Sequence, residues 1–313
     1  GLGSTQGVSA VKRALRDAGE AKTKVGHGGT LDPFASGVLP VFLGRATRVV
    51  EFHLADRKRY QATVCFGASS STDDLEGELT PSAGPAPLRA DVEVMLPAFV
   101  GTTQQRPPAY SAIKLGGRRA YAMARAGESV ELAPREIPLH ELTLLDWDDS
   151  DPERPVAIVD VSCSAGTYVR ALARDLGERL GSAAYLGALR RTGAGTFGEA
   201  DALSLDAIRA AAGQGSDDLA GLLRPIDFGL ERFPDVDVGP VGGSLELSEP
   251  GAQCVQPSAR VAAPLAGERL RGHERYRLRT PDGRLAALAI AIDSGRLAPD
   301  KVLVDPVAAP VAG

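Results

Sequence analysis

The sequence predicts an α/β fold of the α+β kind: a mixed, largely antiparallel sheet with flanking helices, followed by a small β-rich C-terminal domain. Three observations lead there. Strand-like and helix-like stretches follow one another without the regular strand-helix-strand rhythm of a doubly wound parallel sheet. The stretch RYQATVCFG sets Tyr60, Ala62, Val64 and Phe66 on one face and Gln61, Thr63 and Cys65 on the other, a half-buried strand closed by Gly67. Near the C-terminus, the strand-like pieces RYRLRT and LAALAIAI are separated by the turn signal PDG.

Taken in order, Val8, Val11, Leu15 and Ala18 recur at helical spacing, with Ser4 or Thr5 near the start of that helix. A glycine-rich turn follows, then the strand just described. Asp91 to Phe99 reads as a short helix, and IPLHELTLLDW and VAIVDVSCS read as strands. The second of these runs through AGT into YVRALARDLGERLG, where Val169, Leu172, Leu176 and Leu180 form one helical stripe before Gly181 stops it. Prolines and glycines in LLRPIDFGLERFPDVDVG mark a boundary, giving domains at 1–228 and 229–313, with DPVAAPVAG as a loose tail.

The 313 residues are 43% hydrophobic, enough for a buried core. No apolar run approaches the roughly 20 residues that span a bilayer, and GLGSTQG lacks the layout of a signal peptide, so no membrane association and a cytoplasmic location are expected. Cys65, Cys163 and Cys254 lie too far apart for a zinc or disulfide spacing and read as buried thiols in a reducing compartment. A net charge of -5 argues against a generic polyanion binder. That sum hides an imbalance, because residues 1–60 hold ten basic residues, Lys24, Arg45 and Lys58 among them, against five acidic ones. Acids gather instead in DWDDSDPE, Asp146 to Glu153, which reads as an exposed connection. The basic residues are either ordinary solvated faces or a binding surface.

GHGGTLDPFASGVLP, Gly26 to Pro40, is the most specified stretch of the chain. It is not a dinucleotide fingerprint, because Leu31 stands where the third glycine belongs and no strand precedes it. No P-loop spacing occurs, so a nucleotide cofactor is not expected. His27 and Asp32 have no third ligand nearby, so no metal is expected either. Two readings stay open for Asp32. It either caps a turn ahead of Pro33, or it is a reactive carboxylate placed by glycines that let the backbone approach a ligand.

KVGHGGTLDPFASGVLPVFLGRATR resembles the catalytic motif of the TruB family of pseudouridine synthases, bacterial enzymes that modify uridine-55 in the T-loop of tRNA. KRYQATVCFGASSSTDDLEGEL, QRPPAYSAIKLGGRRAYAMARAGE and GTYVRALARDLGERLGSAAYLGALRRTGAGTF resemble successive blocks of the same family, in the same order. Together the four blocks cover most of residues 1–198. The resemblance implies the pseudouridine synthase core and a PUA-like RNA-binding unit after about Phe233. It also implies an isomerase that needs no cofactor, acts on the T-arm of tRNA and works as a monomer. One aspartate can suffice for such chemistry, whereas glycoside hydrolysis generally needs two carboxylates.

By the same resemblance, Asp32 is the catalytic aspartate, Arg170 the arginine that orients it, and Tyr60 the ring that stacks on the target base. Tyr168 and Leu189 would line the uracil pocket, and His27 would fill the space left by the extruded uridine, lowering the cost of flipping. Lys24, Arg45, Lys58, Lys114, Arg118, Arg119, Arg190 and Arg191 would meet the RNA backbone. Two points stand out. The resemblance places the family's Asp-Lys-Pro segment just upstream of Gly1, and Gly28 stands where many relatives carry Thr or Ala. The rival reading is a non-catalytic RNA-binding or RNA-folding protein using the same surface, which would have no need of a carboxylate in an RNA pocket.

Overall fold

The computed structural model describes residues 2–237, 274–279, 283–293 and 296–303. The chain forms two compact units, the first from residues 1–11, 27–40 and 53–207 and the second from 12–26, 41–52 and 208–313. The expected N-terminal helix is α1 (Ser4–Asp17). The sheet of the first unit is built from β1 (Lys58–Phe66), β2 (Gly101–Gln105), β3 (Arg135–Asp148), β4 (Val156–Cys163) and β5 (Ala184–Ala194). Its order is β5-β1-β4-β3-β2, every neighbour antiparallel. Phe197–Gly198 pairs beyond β5, and Ser36–Gly37 adds a short parallel pairing to β5, making the seven-stranded sheet mixed but largely antiparallel.

The alternation read in β1 is realised. Tyr60, Ala62, Val64 and Phe66 face the core, where Val159 and Val161 of β4 and Leu186 and Leu189 of β5 join them. On the opposite face Arg59 pairs with Asp160 at 3.1 Å and Glu141 at 3.0 Å, an exposed charge ladder that keeps that side wetted. The helix α2 (Arg89–Met95) is shorter than the stretch read for it, because Leu96–Phe99 tightens into a 3-10 turn that begins one residue before Pro97. α3 (Val169–Arg179) lays Val169, Leu172 and Leu176 into the core. It crosses β5 so closely that a Cβ at Gly177 would lie 2.4 Å from the backbone nitrogen of Ala184.

The acidic connection begins later than its composition indicates. Asp146 and Asp148 still belong to β3, because Trp147 between them packs on Phe66 with ring centroids 5.9 Å apart and holds the strand down.

In the second unit the strand-like C-terminal pieces are β7 (Arg275–Arg279) and β8 (Leu285–Asp293), preceded by β6 (Asp235–Asp237) and followed by β9 (Arg296–Val302). These form a four-stranded sheet in sequence order, with β6 parallel to β7 and the rest antiparallel. Val236, Tyr276, Leu278, Ala287, Ala289, Ala291 and Leu297 make its small core. Arg277 and Arg279 both reach Asp235 at 2.9 Å. The tail DPVAAPVAG and Cys254 lie outside the described residues. Among the described residues no helix is long and apolar enough to cross a membrane.

Lys58 is the anomaly of the core. It opens β1 on the inward face, 5% exposed, with its Nζ donating to the carbonyl of His53 at 2.9 Å. Burial lowers its pKa from 10.5 to about 8, with Arg191 adding to that shift and Asp56 opposing it. Between those two values the unfolded chain binds more protons at Lys58 than the native one. This group therefore raises stability as pH climbs from about 8 to 10.5, and its burial cost is felt in full below about 8. The Cys163 thiol, pushed up to about 11 by burial, pulls the other way above pH 9, so the native chain must be compared with Lys58→Met. In urea denaturation the native-minus-variant stability difference should rise across that window; a flat difference would mean Lys58 is not buried as a cation.

Candidate active site

The turn from Gly26 to Pro40 is fixed from several sides. The Leu31 amide donates to Ser4 Oγ at 2.7 Å, and the same hydroxyl donates back to the Leu31 carbonyl at 3.2 Å. Ser4, read as a helix-start signal, thus opens α1 and also ties it to the turn. Gly28 N–H donates to Pro40 O at 2.9 Å, Ala35 N–H to Asp32 O at 3.0 Å, and Val38 N–H to Arg191 O at 2.8 Å. Gly37 adopts φ +100°, and a Cβ there would sit 2.1 Å from the Arg191 carbonyl oxygen, so this glycine is required both by conformation and by space.

The turn presents Asp32 to Arg170 on the first turn of α3. Arg170 Nε donates to Asp32 Oδ2 at 3.0 Å and Nη2 to Oδ1 at 3.2 Å, a bidentate pair. The guanidinium side chain is 6% exposed and the carboxylate side chain 32%, so one edge of Asp32 opens to solvent. The remaining donors of Arg170 are also engaged. Nη1 meets Thr72 O at 3.1 Å and Asp74 Oδ2 at 3.2 Å, and Nη2 meets Tyr110 O at 3.0 Å. All three guanidinium nitrogens are engaged, in four hydrogen bonds and an ion pair to Asp74, the kind of compensation under which a buried arginine is tolerated.

Sequence reading gave no role to Asp74, which is 3% exposed. Its Oδ1 accepts from Thr72 Oγ1 at 2.5 Å and from Glu76 N–H at 3.0 Å, leaving Oδ2 for Arg170. The signal available was two adjacent aspartates inside a block otherwise rich in Ser and Thr. Asp73 takes φ 60°, and its Oδ2 accepts from Arg174 at 2.7 Å, so the two carboxylates turn to different arginines. Burial raises the Asp73 pKa, and Arg174 opposes the rise.

Gln105 was also missed. Its buried amide donates to Tyr168 O at 3.0 Å and accepts from Tyr168 N–H at 2.9 Å, standing in for a strand neighbour just before α3 begins. The Tyr168 ring is covered by Arg135, whose guanidinium carbon lies 5.1 Å from its centre.

Tyr60 and Leu189 lie in one buried cluster with Leu31 and Ala35 of the turn and Val169 of α3, so the fold brings together the surroundings of Asp32, Tyr60, Leu189 and Arg170. Burial raises the Tyr60 pKa, and Arg191 opposes the rise by charge and hydrogen bond. His27 is half-buried where the turn begins, and no hydrogen bond joins it to Asp32 or Arg170.

Two residues expected at an RNA backbone are not surface cations. Lys58 is buried as described, and Arg191 is 1% exposed, with Nε donating to Val38 O at 2.7 Å, Nη2 to Gly29 O at 3.2 Å and Nη1 to Thr30 O at 3.5 Å. The reason is strand alternation: in β5 Leu189 and Arg191 point inward and Arg190 between them points out, where it pairs with Glu199. Lys114, Arg118 and Arg119 are exposed, with Arg118 held by Glu128. In the second unit Lys24 is exposed, and Arg45 is half-buried and donates to Leu303 O at 3.1 Å. A separate cleft lined by Phe99, Thr103, Arg106, Leu172 and Asp175 includes neither Asp32 nor Arg170.

Comparison with known proteins agrees with this architecture. The family model described as TruB family pseudouridylate synthase (N terminal domain) matches residues 13–169, and that of the tRNA pseudouridylate synthase B C-terminal domain matches 170–231. A tRNA pseudouridine synthase B of Bradyrhizobium diazoefficiens is 48% identical over 76% of this chain and 67% of its own length. One from a Chelativorans species is 38% identical over 96% of this chain and 92% of its own. Among solved structures, a Cbf5-Nop10-Gar1 complex contains a chain similar in fold, with TM-score 0.65 at 24% identity, covering 97% of this chain and 82% of that one. An H/ACA RNP bound to a substrate RNA containing 2'-deoxyuridine gives TM-score 0.66 at 22% identity, covering 98% and 83%. The family match across half the sequence and the identity to these relatives establish that the chain belongs to the TruB family of pseudouridylate synthases.

Proposed function

We propose that this enzyme converts uridine-55 in the T-loop of tRNA to pseudouridine, with Asp32 as the reactive carboxylate, and that it works in the cytoplasm as a monomer. The observation that carries this reading is the bidentate Asp32–Arg170 pair, with the arginine enclosed and one carboxylate edge open. Arg170 aims that edge, so the carboxylate meets a flipped nucleoside in one orientation rather than many. The reaction breaks the N1–C1′ bond, turns the detached uracil and forms a C5–C1′ bond, with a proton moved from C5 to N1. No atom is lost and no cofactor or metal is needed. Tyr60 and Leu189 supply an apolar wall against which a flipped base can stack, and Tyr168 borders the start of α3. His27 would occupy the gap in the T-loop.

Residues 1–228 would carry the chemistry and 229–313, read as PUA-like, would add RNA affinity. In the first unit Lys114, Arg118, Arg119 and Arg190 are exposed cations offered to phosphate; in the second, Lys24 and Arg45 are proposed for the same role. A pure RNA binder is disfavoured because an open carboxylate beside a phosphate-binding surface repels its ligand.

The direct test incubates unmodified tRNA with the native chain and with Asp32→Asn, then maps pseudouridine. Product at position 55 from the native chain alone is expected; equal binding with no product from either would favour the RNA-binding rival. Arg170→Lys keeps charge but loses the planar fork, and a fall of roughly 100-fold in single-turnover rate is expected. Asp74→Asn leaves Arg170 with one carboxylate and should cost about 10-fold or more, with tRNA affinity little changed; a loss confined to affinity would remove Asp74 from the site. Affinity itself should fall steeply between about 50 and 200 mM salt despite the acidic net charge; a flat response would contradict a phosphate-binding surface.

A further inference from the structure

We infer that Arg191 is a positioning residue for this reaction: its buried guanidinium ties both limbs of the Asp32 turn to strand β5 and stands against the Tyr60 phenol, holding carboxylate and ring in one mutual geometry. What Arg191 would position follows from the function proposed above; the contacts themselves do not depend on it.

Three acceptors define the device. Gly29 and Thr30 lie on the limb entering Asp32, at 3.2 and 3.5 Å from the guanidinium nitrogens, and Val38 lies on the limb leaving it, at 2.7 Å. The main chain of Arg191 holds the leaving limb again, since its carbonyl accepts from Val38 N–H at 2.8 Å. Side chain and backbone of one residue therefore close the turn around Asp32. Gly37 packs so tightly on that carbonyl that no other residue fits there without displacing the limb.

Tyr60 is the direct cross-strand partner of Arg191, both on the inward face, and the positive charge of the guanidinium opposes the rise that burial gives the phenol's pKa.

The energetics point the same way. Among the described residues no carboxylate lies within ion-pair distance of Arg191, and buried Lys58 adds a second positive charge nearby. An apolar side chain of similar volume would fill this space without that desolvation cost. What only the guanidinium supplies is a planar fork reaching three carbonyls at once, beside its cross-strand partner Tyr60.

The test uses the full chain and unmodified tRNA, with Arg191→Met, Arg191→Lys and Arg191→Ala. In Arg191→Met the single-turnover rate should fall roughly 100-fold while tRNA affinity stays within about 3-fold. Hydrogen exchange at the amides of Gly28, Leu31, Ala35 and Val38 should accelerate while those pairing β3 with β4 keep their protection. Guanidinium ion, well below denaturing concentration, should restore part of the rate of Arg191→Ala. Should the Met variant not fold, Arg191→Lys, which keeps the charge and loses the fork, should show the same localised exchange and a slowed rate. Unchanged exchange in the turn, loss of protection spread evenly through the sheet, or a rate loss explained by tRNA affinity would each overturn the proposal. If the native chain forms no pseudouridine, the functional reading fails, and the exchange comparison still decides whether Arg191 holds the turn.

Discussion

One guanidinium organises the candidate site. From its place on α3, Arg170 takes acceptors from three segments that are remote in sequence: the Asp32 turn, the Thr72–Asp74 turn and the Tyr110 carbonyl. Each hydrogen bond alone is worth about 1 kcal/mol net, and somewhat more for those to charged partners. Their collective effect is geometric, since a planar fork with all three nitrogens engaged has no alternative orientation of comparable energy. The open edge of Asp32 inherits that rigidity.

A second arginine supports the turn from beneath, and the two divide the work. Arg170 binds the carboxylate itself, whereas Arg191 binds the backbone that carries it. Between them stands the inward face of β1 and β5, where Tyr60 and Leu189 project from adjacent strands. The sheet thus serves as a ruler: strand alternation decides which side chains reach the site, and the exposed ladder of Arg59, Asp160 and Glu141 marks the face that does not.

Much of this was legible from residues alone. Period-two patterning located β1, the helical stripe located α3, and the ordered family blocks singled out Asp32, Arg170, Tyr60 and Leu189, which the fold gathers around one cluster. What stayed hidden depends on partners far away in sequence. Nothing in RR distinguishes an outward Arg190 from an inward Arg191 until the phase of β5 is known. Asp74 and Gln105 act through a helix about 100 and 60 residues downstream, respectively. Trp147 extends β3 through an acidic stretch because Phe66 waits on the neighbouring sheet face, a contact that composition does not encode.

The Gln105 clamp has a consequence for the long excursion that follows it. Gln105 and Arg135 are paired register partners on β2 and β3, so the chain leaves the sheet and re-enters it at the same rung. Up to Ser111 the departing strand is pinned by Tyr168 and Arg170, but from there to Pro134 its two ends are already stapled side by side. Closing a loop costs only about 0.6 kcal/mol more for each doubling of its length. This lobe is therefore where the chain can be lengthened, shortened or recoded while the Asp32–Arg170 pair beside it keeps its registration.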